Sequence, residues 1–470
     1  MSLDHEDQPL AGLTRELAGI SSALAYEALP EDVVQIARQC LLDWFAVTLG
    51  GSGEEAPRIL LATLAGEDAH DGGVSVVGRR LRLAPLRAAL VNGTASHVLD
   101  FDDVNLAFLG HASVAVGAAA LALAEELDAD CGELVAAFVA GYETACGVAA
   151  AVGPQPYLRG FHATGTLGTF GAAAACARLL GLGPAQTAVA FGLAASQAAG
   201  AKANLGTMTK SLHAGKACEN GLLSALLAAR GFTANADAIE AEQGFAAIVG
   251  GGCDAEAALG DPPDGWHIRG NLFKYHAACY FTHSMLEGIG ELRRSGRVSA
   301  EDIESVTVHV GEIELGAASI ASPADGLQVK FSLAHLAALA LLDRSTAAIP
   351  DEYAHDPQAL ELRCRVQLAD DGRPGAPTLV QVRLGDGTVA EAAVDVATPE
   401  HDLALQSRRL TAKFATLAEP VLGPDAAGTL LAALGELHPG LAVRSLMALA
   451  TPPRERAHRR EQAAPHSKRS

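Results

Sequence analysis

Small apolar side chains at helical spacing dominate the first half of this chain, and that pattern restricts the fold more than any other feature. Between positions 30 and 51, Glu31 and Asp32 mark a helix start. Val33, Ile36, Ala37, Cys40, Leu41 and Phe45 then recur on one face until Gly50-Gly51 ends the segment. Comparable segments are predicted at 85–100, 113–127, 132–152, 168–180, 185–199 and 214–230. Apolar residues make up 49% of the 470 positions but aromatics only 4%, so the core has to be built from Ala, Val and Leu. Side chains of that size let helices approach closely.

After about position 265 the pattern changes. Val306, Val308 and Val310 alternate with Thr307 and His309, and 379–384 runs through Gly385-Asp386-Gly387 into 389–396, which reads as a hairpin. Helical spacing returns at Leu403 and continues through Leu410, Phe414, Leu417, Leu430 and Leu431. The expected fold is mainly α. A large all-helical domain covers 1–265 plus 403–452, a smaller α/β lid domain covers 266–402, and a basic tail, 453–470, is expected to be disordered.

Charge and composition exclude several classes. Lys plus Arg total 34 against 55 Asp plus Glu, a net charge of −21, which disfavours nucleic acid or an anionic membrane as a partner. The apolar runs are interrupted at Glu125 and Glu143, short of a membrane span. The polar, acidic start lacks a secretory h-region, so a cytoplasmic location is expected. Eight scattered cysteines without a C-x-x-C suggest neither a disulfide framework nor a zinc or iron–sulfur site.

Four segments concentrate chemistry-bearing side chains. The first, 92–103, ends in Asp100-Phe101-Asp102-Asp103 and is followed by His111. The second, 160–168, is glycine-rich around His162 and precedes an alanine-rich helix. Its glycines suit tight helix packing more readily than anion binding. The third, 206–216, carries Lys210, His213 and Lys216 among small residues. The fourth, 274–283, carries Lys274 and is unusually aromatic. Taken singly, each has an ordinary structural explanation: a solvated acidic loop, surface lysines, core histidines.

Together these segments resemble the MmgE/PrpD family. The resemblance runs from Leu41-Leu42-Asp43 through the D-F-D-D, G-F-H-x-T-G-T, T-K-S-L-H-x-G-K-A and K-Y-x-x-C-Y-F-T-H segments to Lys330-Phe331-Ser332-Leu333 and Lys413-Phe414. It implies a homodimer and a site between the domains that needs no metal or other cofactor, acting on a small-molecule di- or tricarboxylate. Carried over by residue, the catalytic positions fall on Asp100, His111, His162, Lys210 and Lys274, with His213, Lys216 and His335 as substrate-binding candidates. Val104, Ala112 and His335 replace the Thr, Pro and Tyr common in the family. The implied function is a cofactor-independent lyase of the 2-methylcitrate dehydratase type, with the lysines balancing charge and the histidines and Asp100 moving protons. Alternatives are an epimerase or decarboxylase of the iminodisuccinate or cis-aconitate type, or a catalytically idle binding homologue.

Overall fold

Contacts between glycines and neighbouring backbones decide how the helices of the body fit together. In the computed structural model, which describes residues 12–64, 73–262, 264–370 and 377–453, the helix Ala163–Leu179 is central. It packs against Ala112–Leu127, Cys131–Val152, Pro184–Ala195 and Thr209–Ala229. A Cβ at Gly141 would sit 2.6 Å from the Gly171 carbonyl oxygen, and one at Gly93 would sit 2.6 Å from Cys218 Sγ. Such proximity admits only small residues at the crossings, which explains the scarcity of aromatics. Trp44, Phe45, Phe138, Tyr142 and Phe170 are fully buried.

Cys131–Val152 is long and apolar enough to cross a membrane, but 89% of its most apolar window is buried within the protein. All eight cysteines are free thiols, six of them buried. The 454–470 part of the expected basic tail and the acidic N-terminal stretch lie outside the described residues.

The strand signals lead to a four-stranded sheet in the order Val366–Asp370, Ile303–Val310, Thr378–Leu384, Val389–Val394. The first pair is parallel, with Val308 opposite Leu368, and the others are antiparallel, with Val308 opposite Val380. Val306, Val308 and Val310 are buried, as the alternation requires. The hairpin turns at Gly387, whose φ of +87° suits glycine. Helix His283–Arg294 covers the two hairpin strands and packs against Leu333–Leu341.

Helix packing and a short ladder help join this α/β part to the helical body. Helix Leu403–Leu422 lies on Glu31–Gly51, where Gln39 Nε2 donates to the Leu403 carbonyl at 2.8 Å and Lys413 Nζ meets Asp43 Oδ1 at 2.6 Å. A short antiparallel ladder pairs Val104–Asn105 with Asn271–Leu272, fixing the acidic loop against the segment that carries Lys274.

Candidate active site

The helix Pro85–His97 stops three residues before Asp100, which adopts a left-handed conformation with φ +53°. Aspartate tolerates that region better than most residues. Lys274 locks it there, since its Nζ donates at 2.8 Å to both the Asp100 carbonyl and Asp100 Oδ1. Lys210 Nζ reaches the same Oδ1 at 2.7 Å. Burial alone would raise the Asp100 pKa, but the two ammonium groups outweigh it and hold the carboxyl well below the usual range. A third cation, Lys330, donates to the Leu99 carbonyl at 2.8 Å, and burial draws its pKa down to about 8. Two ammonium groups thus share one carboxylate oxygen with a third on the adjoining backbone, an arrangement with spare positive charge for an anionic ligand.

Histidines gather on the neighbouring side. His111 and His162 occupy the N-cap positions of Ala112–Leu127 and Ala163–Leu179, and Lys210 stands in the first turn of Thr209–Ala229. Three helix N-termini therefore add partial positive charge where these side chains meet. His111 Nδ1 lies 2.9 Å from Asp102 Oδ2 and 2.8 Å from the Asp103 carbonyl, so its N–H is shared between two acceptors. Its Nε2 faces Asp100 Oδ1 at 4.0 Å. His162 Nδ1 is 3.2 Å from His213 Nδ1. Burial, then the proximity of His97 and Lys210, keeps His162 well below the ordinary imidazole pKa and hence neutral near pH 7.

Of the residues expected from sequence, Asp100, His111, Lys210 and Lys274 converge on one carboxylate, with His162 and His213 beside them. Lys216 and His335 are placed elsewhere. Lys216 lies six positions after Lys210 on the same helix, about 240° around its axis, and its half-exposed side chain pairs with Glu219. His335 is buried at the start of Leu333–Leu341, where its Nε2 contacts the Tyr353 carbonyl at 2.7 Å.

The structure adds residues that sequence reasoning did not single out. His97 and Asp102 form a buried contact at 2.8 Å beside His111. Lys330 and Lys413 stood within quoted motifs, which was the available signal. His97, Asp102 and His111 each offer a ligand atom within 4.8 Å of the others, a grouping a divalent cation could use. In this structure the same groups engage one another: Asp102 Oδ2 lies 2.8 Å from His97 Nδ1 and 2.9 Å from His111 Nδ1. The glycines around His162 serve packing: a Cβ at Gly165 or Gly168 would sit 2.5 Å from the Ala199 carbonyl oxygen or from Ala115 Cβ respectively. An apolar cavity of about 230 Å³ borders this region, lined by Leu106, Phe108, Leu109, Tyr157 and Leu167 among others. None of its lining residues is charged.

The MmgE/PrpD N-terminal domain matches residues 15–258 and the MmgE/PrpD C-terminal domain matches 276–435. The chain belongs to the MmgE/PrpD family. Asp100, His111, His162 and Lys210 fall within the N-terminal match and Lys330 and Lys413 within the C-terminal one, while Lys274 lies in the interval between. Similar curated proteins include the cis-aconitate decarboxylase of Aspergillus terreus (strain NIH 2624 / FGSC A1156), 27% identical over 87% of this chain and 90% of that protein. The cis-aconitate decarboxylase of Mus musculus is 26% identical over 91% of each. That of Homo sapiens is 31% identical over 51% of this chain and 50% of the relative.

Proposed function

We propose that this chain is a carboxylate lyase that removes carbon dioxide from a small unsaturated tricarboxylate of the cis-aconitate type. The observation that carries this is the sharing of Asp100 Oδ1 by Lys210 and Lys274, with His111 Nε2 4.0 Å away. The names of the relatives favour the same reaction. Substrate carboxylates bind against the ammonium groups, which compensate the negative charge that remains when the C–CO₂ bond breaks. The bond's electron pair passes into the adjacent alkene–carboxylate system, carbon dioxide departs, and a carbon of that system takes a proton from protonated His111. Solvent then restores the His111 proton.

Dehydration of a 2-methylcitrate-type hydroxy acid, the reaction expected first from sequence, requires two protonic events: removal of a proton beside a carboxylate and protonation of the leaving hydroxyl. Among the histidines, His111 presents a ring nitrogen to the lysine cluster, whereas His162 is held neutral by burial and is a weak acid. Decarboxylation needs one delivered proton and suits this inventory better.

The test is incubation with cis-aconitate, citrate, 2-methylcitrate and iminodisuccinate, following carbon dioxide, alkene absorbance and optical rotation. One carbon dioxide released per cis-aconitate consumed is expected, unchanged after exhaustive chelation. Alkene formation from a hydroxy acid without carbon dioxide would replace decarboxylation by dehydration. Loss of activity on chelation, restored by zinc, would assign the His97, Asp102 and His111 grouping to a metal.

A further inference from the structure

His97 has no place in the reaction just described, yet it is the most enclosed imidazole of the group, with a side chain fully withdrawn from solvent. Burying a polar ring is unfavourable unless its hydrogen bonds are made. Here one is made and one is not. Nδ1 meets Asp102 Oδ2 at 2.8 Å, while Nε2 has no hydrogen-bond partner among the described residues. Asp102 is buried, but the His111 and His97 rings hold its carboxyl ionised against that burial. An ionised acceptor requires the His97 proton to be on Nδ1, which settles the tautomer. Burial draws the His97 pKa down to about 4, so the ring acts as a neutral donor over the working pH range.

The contacts of this ring reach both histidines beside the lysine cluster. Its centroid lies 4.6 Å from that of His111 in an edge-to-face arrangement and 5.7 Å from that of His162 with only 19° between the planes. Through Asp102 it also shares an acceptor with His111 Nδ1. An Asp102 side chain held by a second, fixed donor cannot turn away from His111.

We propose that His97 is a positioning residue: its Nδ1–H fixes Asp102, Asp102 keeps the His111 proton on Nδ1, and Nε2 is thereby left as the atom that exchanges protons with substrate. This rests on His111 being the proton donor. The competing explanation is a polar core residue that only fills space at the end of Pro85–His97.

Two substitutions separate these. His97→Asn keeps a side-chain N–H close to where Nδ1 stands, and His97→Leu keeps bulk without a donor. For His97→Leu, kcat should fall about 10- to 100-fold, the usual scale for a residue that orients a catalytic ligand, with KM within about twofold and a displaced pH–rate profile. His97→Asn should recover most of the turnover and the parent profile. A folded His97→Leu with parental kcat and pH profile overturns the proposal, as does His97→Asn impaired as deeply as His111→Gln. The Asn variant decides alone if the Leu variant does not fold. His111→Gln in the same series distinguishes the two levels: parental turnover there would remove the proton-donor assignment itself and this inference with it, whereas an inactive His111→Gln beside a fully active His97→Leu removes only the positioning role.

Discussion

Two buried lysine–carboxylate clusters adjoin in this protein and differ in the ratio of cations to anions. Around Asp100 two lysines share one carboxylate oxygen and a third lysine stands close by. Around Lys413 the balance is reversed: Asp43 is paired with it at 2.6 Å, and Asp102 and Asp103 are near. Their ionisation differs, with Asp102 the member of the second cluster that the His111 and His97 rings keep ionised against burial. Asp100 is held well below the ordinary carboxylate range, while burial pushes Asp43 up to about 6 and Asp103 up to about 7. The same two side-chain types thus keep one carboxylate ionised between two ammonium groups in one place and leave two carboxyls drawn toward protonation in the other. Lys413 ties the second cluster to the first by donating to the Phe101 and Lys274 carbonyls at 2.6 and 3.0 Å.

His111 stands at the boundary, with Nδ1 toward Asp102 and Asp103 and Nε2 toward Asp100 and its lysines, so its replacement is the severest test of the comparison. His111→Gln should lower kcat by roughly 10²- to 10⁴-fold while leaving the melting temperature nearly unchanged. A variant that melts earlier but turns over normally would make the ring a structural link between the clusters and nothing more. Next in size, Lys210→Ala and Lys274→Ala should each remove about 2 to 4 kcal/mol of transition-state stabilisation, read as kcat/KM. Lys274→Ala should also lower the melting temperature further than Lys210→Ala, because Lys274 alone of the two holds the Asp100 backbone. Equal melting temperatures would show that the left-handed turn holds itself.

How much of this was legible in the sequence depended on the glycines. The helical body and the hairpin followed from apolar periodicity, because burial of one face leaves a repeating trace. Helix starts near the site were less legible: the segments expected from 168 and 214 begin at Ala163 and Thr209. Gly165, Gly168 and Gly215 resemble breaks in a linear reading but are the residues that admit close neighbours, a backbone carbonyl at Gly165 and Gly215 and the Ala115 Cβ at Gly168. That displacement makes His162 a helix cap and puts Lys210, His213 and Lys216 on one helix, where Lys216 falls on a different face from Lys210. The strand Val366–Asp370 carries no clean alternation, being half-exposed along much of its length. His97 and Asp102 were invisible as a pair, since a five-residue spacing across a helix end shows no regular geometry until the left-handed turn at Asp100 is known.

The carboxylate-rich cluster can be tested through stability rather than turnover. The folded-state pKa of Asp103 is raised, so between its unfolded value near 4 and about 7 the native state holds more protons than the unfolded chain. Its contribution to stability is therefore complete below about pH 4 and is lost as pH rises toward 7. Asp100 has the opposite sign: its contribution is present above about pH 4 and is lost in acid. Asp103→Asn keeps an acceptor for Ser113 Oγ and Asn271 Nδ2 and leaves intact the backbone carbonyl that His111 uses. Its unfolding free energy, measured across pH 4 to 8, should fall less steeply than the parent's. A steeper fall would mean that Asp103 is ionised in the folded protein and that Lys413 neutralises both clusters.

The smallest expected effect concerns a third lysine–carboxylate pair, in which a half-exposed lysine meets a buried glutamate, and which calibrates the two enclosed clusters. Lys216 and Glu219 lie three residues apart on Thr209–Ala229, with the lysine side chain half-exposed, and Arg87 Nη1 also reaches Glu219 at 3.1 Å. Solvent reaches the lysine end of the pair, and buried Glu219 keeps Arg87 as a cationic partner when Lys216 is removed. Lys216→Ala should therefore change unfolding free energy by no more than about 0.5 kcal/mol and kcat/KM by less than about twofold. Helix geometry supports the contrast: His213, three positions from Lys210, shares its face, whereas Lys216 does not. A tenfold rise in KM with unchanged kcat would show that substrate reaches past the first turn of this helix. The cation-rich face would then include a lysine that the folded chain turns away from Asp100, and burial would no longer be what distinguishes the lysines that bind substrate from those that do not.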